Sequence, residues 1–541
     1  MMKKIALSFI LLSLITLSLF AGRVISIDNP IYEYIDSLFL LEGRSMLSSS
    51  RPWSVSVAQN ELARIDKNTL SGLSLKLYSA IEEELDAFDA SLDGFVSISP
   101  ELYIHSNPSF DKPSLWDYSF EERKAFLSMS FSYFIDGFFL DTGLSYRYGK
   151  VTNRDSFKTV DTGIGALVPH GESISVLDSS YLYSKSVLFN FPEIDLLYLE
   201  TPSRTNLGYE GEHVSLGYFR DYLSWGRSKI GNFIFDDHIR SQDYLSFKLY
   251  DSNKAFDYVL LFPEVDFSQR WANIYSDKNR VMMAHMFSFS LFDSLSISIS
   301  ENVMYSYIEP ELKYFNPLYV FHNLNNSDTL NAIAHAEVEF LPVRCLRLYS
   351  QFALDQAQAP TELEGQPAAY GLSLGVEGIL PFEDSFIRLS LEGALTTPFL
   401  YRRNFVDFIV FERYATNYPY QKYALFTYLG FEYGGDAIAL NANVEYFNLG
   451  GFSSKLSFLA VLHGGTNIYT SHSSSGNNIN WPDIKLPILS DGGFNAFRIS
   501  SDNRYSFDLF GKKCESFLNA AFVFLKDDYD LQLAIGTSIE I

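Results

Sequence analysis

The chain is poor in the residues that most often carry chemistry or cross-links. Among 541 residues there are 2 cysteines, 9 histidines, 8 methionines and 5 tryptophans. Cys345 and Cys514 make at most one bridge, or else two free thiols, which excludes a disulfide-dense scaffold, and no Cys/His spacing has the form of a zinc site. Basic residues are scarce too: 41 Lys and Arg against 65 Asp and Glu leave a formal net charge of −24. That balance argues against a nucleic-acid partner and against simple attraction to an anionic surface. Past residue 22 no stretch approaches the roughly 18 consecutive apolar residues of a transmembrane helix, so any membrane-crossing part must be a closed barrel. The sequence contains no G-x-S-x-G elbow, P-loop or H-E-x-x-H, and its carboxylates form no catalytic pattern. It reads as a non-enzymatic chain with no cofactor and no metal.

Aromatic residues, by contrast, are abundant: 47 Phe and 35 Tyr in a chain whose mean hydropathy is +0.00. Rings without overall greasiness suit the girdles of a membrane barrel, and also carbohydrate-binding β-proteins. At the N-terminus Lys3 and Lys4 precede an uncharged run over 5–20 and then Ala21-Gly22. This order is that of a secretory signal peptide, expected to span 1–21, and no lipobox cysteine follows it.

Residues 22–92 have a helical period. Asp28 or Asn29 can cap a helix with Pro30 in its first turn and Ile31, Ile35, Leu38 and Leu41 on one stripe. A second helix is expected from Ser54, and a third over about 73–88. The polar faces of these helices do not suit lipid, and the region is placed in the periplasm.

From residue 93 to 541 the period is two. In 286–301 (MFSFSLFDSLSISISE) Phe287, Phe289, Leu291, Ile297 and Ile299 alternate with serines around an Asp293-Ser294 turn, so each half has one apolar and one small polar face. Segments 126–134 (FLSMSFSYF), 370–379 and 386–395 repeat the design, 423–433 and 437–447 flank a Gly434-Gly435-Asp436 turn, and 517–525 pairs with 530–541. The final strand is apolar at Leu531, Leu533, Ile535, Ile539 and Ile541; a soluble sandwich rarely ends on such an edge. The expected fold is all-β: an antiparallel transmembrane β-barrel in an up-and-down meander, preceded by a small α-helical region. At about ten residues per strand plus loops, the length allows roughly 16 to 20 strands. Apolar faces then meet lipid, serines line a narrow or filled lumen, short turns such as Asp293-Ser294 lie at the periplasmic rim, and the long outer loops fall at 151–180, 263–280, 307–331, 399–421 and 463–492.

Two stretches carry a family resemblance. FRDYLSWGRSKIGNFIFDD (219–237) resembles the strand and Trp-Gly segment of the Wzi-type capsule assembly proteins, and SENVMYSYIEPELKYFNPLYVFHN (300–323) is similar to their glutamate-bearing strand and Asn-Pro loop. NPIYEYIDSLFLLEGRS and RPWSVSVAQNELARI resemble their periplasmic helices. The resemblance implies an 18-stranded barrel with an N-terminal helical bundle, set in the outer membrane of a diderm bacterium, with a lectin-like role in attachment or assembly of surface polysaccharide. The partners it implies are outer-membrane lipids, surface polysaccharide and the barrel-insertion machinery. These motifs describe the wall better than any sugar site, so they carry fold further than function. The alternative is a porin or a channel for small or hydrophobic solutes.

The candidate ligand-binding residues are Arg220, Trp225, Arg227, Glu301 and Asn316. Arg220, Trp225 and Arg227 have one reading as lumenal groups that meet a sugar acid or lipid headgroup, and a commoner one as a girdle tryptophan with interface arginines. Glu301 is expected to face the lumen and pair with an Arg, and Asn316-Pro317 to start a turn. Asp236-Asp237-His238 reads as a loop or lumen-rim triplet, since adjacent residues on a strand would face opposite ways.

Overall fold

The computed structural model describes residues 24–106, 125–148, 150–151, 181–182, 197–263, 279–320, 330–356, 368–417, 421–466 and 489–541, apart from 90, 91, 240, 308, 403–405, 526 and 527. The expected signal peptide lies outside these residues. Three helices come first: α1 (Ile31–Glu42), α2 (Val55–Ala63) and α3 (Gly72–Asp86). The expected starts hold: Asn29 accepts the Ile31 N–H at 2.9 Å, and Ser54 caps α2 through the Val57 N–H at 3.3 Å, each satisfying a donor that the helix cannot.

The wall follows. β1 is split (Leu92–Ile98 and Glu101–His105), then come β2 (Leu127–Ile135), β3 (Phe138–Tyr148), β4 (Leu197–Glu210), β5 (Val214–Asp221), β6 (Gln242–Tyr250), β7 (Lys254–Phe262), β8 (Asn279–Phe292) and β9 (Leu295–Tyr307). The second half is β10 (Leu330–Val343), β11 (Leu346–Gln356), β12 (Ala369–Pro381), β13 (Ser385–Thr396), β14 (Ala437–Asn448), β15 (Phe452–His463), β16 (Phe494–Leu509), β17 (Lys512–Leu525) and β18 (Asp528–Glu540). Each pairs antiparallel with its neighbour and the sheet closes on itself, giving the expected eighteen strands. The seam between β1 and β18 has two pairs, Ser97 with Glu540 and Ile98 with Ile539, and five more from Glu101 to His105. Ser99-Pro100 interrupts it.

The strand pattern explains the closure. Phe287, Phe289, Leu291 and Ile299 are 38, 37, 53 and 55% exposed on the outer face, while Ser288 and Ser298 sit opposite each other in the register and share a 2.8 Å hydrogen bond inside. One end of the barrel carries short turns. Asp136-Gly137 and Phe510-Gly511 have φ of 50° and 84°, and 52° and 74°, the two left-handed residues that a tight hairpin needs to follow the strand twist. The helical unit docks at this same end: the Ser45 N–H donates to the Asp293 carbonyl at 2.7 Å and the Cys345 N–H to the Leu40 carbonyl at 2.9 Å. These helices enter the mouth of the lumen.

One pairing differs from expectation. Residues 421–428 pair with 409–417 in a separate two-stranded sheet, and β14 pairs with β13 instead. Gly434-Gly435-Asp436 therefore turns the chain from an insertion back into the wall. Both cysteines are free thiols.

Candidate functional site: the occupied lumen

Three layers of chain occupy the inside of the barrel. The floor is α1, whose acidic residues meet arginines that strand alternation turns inward. Arg347 (β11) bonds Asp36 at 2.9 Å, Glu339 at 2.8 Å and Glu377 at 2.7 Å. Arg388 (β13) meets Glu33, Asp36 at 3.3 Å, Glu377 at 3.2 Å and, through Nε, Glu445 at 2.7 Å. The wall prepares this cluster through its register, because Arg347 lies directly across from Glu377 and Arg388 from Glu445. Both guanidinium groups are buried. Their desolvation is tolerable only because each is held by several carboxylates. Desolvation pushes the Asp36 carboxyl up, but Arg347, Lys229 and Arg388 together overcome it and hold the group well below the usual carboxylate range.

The second layer is the segment after β5, which dives into the lumen. Ser224-Trp225 forms a short antiparallel ladder with Ser50-Arg51, stitching this segment to the floor. Arg227 then reaches Glu339 at 3.0 Å and Asp36 at 3.7 Å. Beyond it the Lys229 N–H donates to Glu392 at 2.6 Å, and Gln351 of the wall donates to Asn232 at 2.6 Å. Gly226 is required at its place: its φ is +134°, and a Cβ would lie 2.1 Å from both Asn232 Oδ1 and Gln351 Nε2. The Trp-Gly pair is thus a packing device, with Trp225 fully buried and edge-on to Phe235 at 4.9 Å.

The third layer is the insertion between β13 and β14. The Tyr401 hydroxyl donates to the Phe233 carbonyl at 2.7 Å and accepts from the Phe431 N–H at 3.0 Å. From the wall, Arg280 donates to the carbonyls of Ile409, at 3.3 Å, and Asp407. Trp225, Phe233, Phe235, Tyr401 and Phe431 belong to one buried apolar cluster joining the second and third layers.

The five expected site residues do not converge. Arg220 lies on the outer face of β5, 3.6 Å from Asp243. Trp225 is lumenal instead of girdle-bound, and Arg227 beside it is bound within the floor cluster. Glu301 requires a correction: the alternation of β9 buries Ser298, Ser300 and Asn302 inside, so Glu301 points outward, 3.7 Å from His285. Asn316 does form a turn, accepting the Leu318 N–H at 3.0 Å, and lies outside the lumen. Asp236 and His238 come together at 2.6 Å on a lumenal loop, and the other ring nitrogen faces the Tyr428 carbonyl at 3.1 Å. That dyad is a joint between the second and third layers; a carbonyl acceptor takes the place where a relay would hold a nucleophile. Desolvation by the surrounding protein, with Asp236 and Asp28 nearby, pushes the neighbouring Asp237 up to about 6.

No protein-family model matches the sequence, and no curated protein matches it. Among solved structures, the chain is similar to Wzi of Escherichia coli, described as an outer-membrane protein involved in group 1 capsule assembly and a carbohydrate-binding β-barrel. The TM-score is 0.56 at 14% identity, over 96% of this chain and 99% of that one. Pseudomonas aeruginosa OccK5 (OpdH) gives 0.41 at 10% identity over 83% of this chain and 98% of its own. Acinetobacter baumannii OccAB4 gives 0.39 at 9% over 83% and 97%. At such identities the likeness is one of architecture, and the architecture of this chain is the eighteen-stranded closed barrel with N-terminal helices that resembles Wzi.

Proposed function

We propose that the protein is an exported, non-enzymatic outer-membrane barrel that holds or helps to assemble polysaccharide at the cell surface and does not conduct solutes. The observation that carries this reading is the occupied lumen. A floor fixed by buried ion pairs, a second layer laddered to it and a third layer packed on the second place protein across the lumen at three levels, whereas a porin needs a water-filled path. A structure that spends its interior on rigidity has its outer end available as a platform, which suits attachment better than passage. Wzi, which has the same architecture, is described as carbohydrate-binding.

Two measurements on the purified full chain test this. In planar bilayers the protein should show no steady conductance, and immobilised protein should retain polysaccharide extracted from the producing cells. Steady conductance with no polysaccharide retained would overturn the proposal in favour of a porin. Absence of both activities would overturn the glycan role alone.

A further inference from the structure

The outer wall over β7 to β10 is not built like the rest. Tyr258, His285 and Glu301 stand directly across from one another on successive strands and all point outward. At about 3.3 Å per residue, Glu301 lies roughly 20 Å along β9 from its outer end at Tyr307, at a depth where an ionisable side chain is poorly tolerated by acyl chains. The rows above are apolar, yet covered: Met283 and Val303 are 0% exposed, against 38% for Phe287 and 55% for Ile299 in the row below.

The cover is the chain's own segment 309–320, which leaves the outer end of β9 and folds back against the outside of the barrel. Tyr314 packs edge-on against Tyr305 at 4.8 Å, and Phe315 packs on Tyr305 and Tyr307. The Tyr258 hydroxyl donates to the Phe315 carbonyl at 3.0 Å. This strap satisfies much of its own backbone. The N–H groups of Tyr314, Asn316 and Tyr319 donate to the carbonyls of Glu311, Lys313 and Asn316 at 3.0, 3.4 and 3.0 Å, Leu318 donates to the Asn316 side chain, and Pro310 and Pro317 have no N–H. Its free surface is apolar at Leu312 and Leu318, 83 and 68% exposed, and carries a Glu311–Lys313 ion pair at 2.5 Å.

Irregular backbone is excluded from lipid because unpaired N–H and C=O groups are costly there. A segment that pairs the N–H groups of Tyr314, Asn316, Leu318 and Tyr319 within itself, turns its aromatic rings to a barrel wall and leaves leucines outward reduces that cost and suits the interface at the edge of the lipid. We propose that residues 309–320 form an interfacial strap that binds acyl chains of the outer leaflet through Leu312 and Leu318, with Glu311 and Lys313 at headgroup level, and shields the polar row at Tyr258, His285 and Glu301. This inference rests on the membrane placement proposed above.

The photo-crosslinking residue p-benzoylphenylalanine, placed singly at Leu312, Leu318, Leu374 and Ser252, tests it in the full chain reconstituted in phosphatidylcholine vesicles. Leu374 is an outward wall residue 59% exposed, and Ser252 lies in a turn at the helix-bearing end. Irradiation should give phospholipid adducts by mass at 312, 318 and 374 and none at 252. Adducts at 374 but not at 312 or 318 would overturn the strap and leave the barrel standing. A crosslinked dimer at 312 or 318 would make a second copy the occupant, also overturning it. Loss of the adduct at 374 would overturn the membrane placement and the strap with it.

Discussion

An Asp36→Ala barrel should keep its wall and lose its floor. Asp36 meets Arg347, Arg388 and Arg227 at 2.9, 3.3 and 3.7 Å; α1 also offers these guanidinium groups Glu33 at Arg388 and its own Asp36 carbonyl at Arg347, 3.3 Å. Removing one partner of an isolated buried ion pair typically costs about 3–5 kcal/mol, an upper bound here because Glu339, Glu377 and Glu445 of the wall still face Arg347 and Arg388. The penalty falls on the docking of residues 24–89 and not on the strands, whose ladder is independent of it. Amide exchange should therefore rise steeply through α1, α2 and α3 while the heat-modifiable gel shift of the folded barrel persists. Unchanged exchange in the helices would show that apolar packing and the remaining polar contacts, such as Ser49 with Glu337 at 2.6 Å and Arg344 with Glu42 at 2.7 Å, hold the floor without Asp36. Acid should act similarly. Asp36 is held well below its ordinary range, and Glu33 is lowered as well, with Arg388 and Lys229 outweighing its desolvation. Their stabilisation is thus fully present above the unfolded-chain pKa of about 4 and is lost as pH falls through that value toward the folded ones. Helix protection factors, in which the pH dependence of intrinsic amide exchange is divided out, should match between pH 5 and pH 7 and should fall below about pH 4.

The second large effect is expected from Gly226→Ala. The new methyl would meet Asn232 and Gln351 at 2.1 Å in a backbone conformation that alanine rarely adopts, and such strain costs about 1–3 kcal/mol before the lost Gln351–Asn232 bond is added. The segment 223–239 should detach from the wall and become open to protease. With the floor intact, this variant should remain closed in a planar bilayer. Combined with Asp36→Ala, it removes the restraints on two successive layers, and the double variant should conduct where neither single variant does. Conductance in the Gly226→Ala protein alone would mean that the second layer, and not the floor, is the principal barrier.

Alternation made the wall readable. The serine-interleaved hairpin at 286–301, the closing strand and the helix caps at Asn29 and Ser54 all follow from rules that act within a few residues. Register and chain reversal do not. Arg347 and Glu377, or Arg388 and Glu445, become partners only when separate strands align, and nothing in LRLYS or GVEGI names its neighbour. For the same reason the lumenal face expected for Glu301 is the wrong one. One residue of phase separates lumen from lipid, and in ISENVMYSY the outward row itself carries a charge, so polarity points the wrong way. Trp225 misled differently: aromatic residues suit a girdle on average, but this one belongs to a segment that leaves the wall altogether.

The interruption at Ser99-Pro100 bears on the order of assembly. Every other wall contact joins strands that succeed one another along the chain, so it can form as each strand emerges beside its predecessor. The contact of β1 with β18 must wait for the last residues, and it is then completed by two pairs on one side of the interruption and five on the other. Because the helices immediately precede β1, the strand that waits longest for its partner is also the one tethered to the floor. Closure of the cylinder and enclosure of its floor should consequently be coupled and late. In the finished protein the same boundary should be the first to part, with amides of 101–105 exchanging ahead of those in the continuous ladder between β17 and β18.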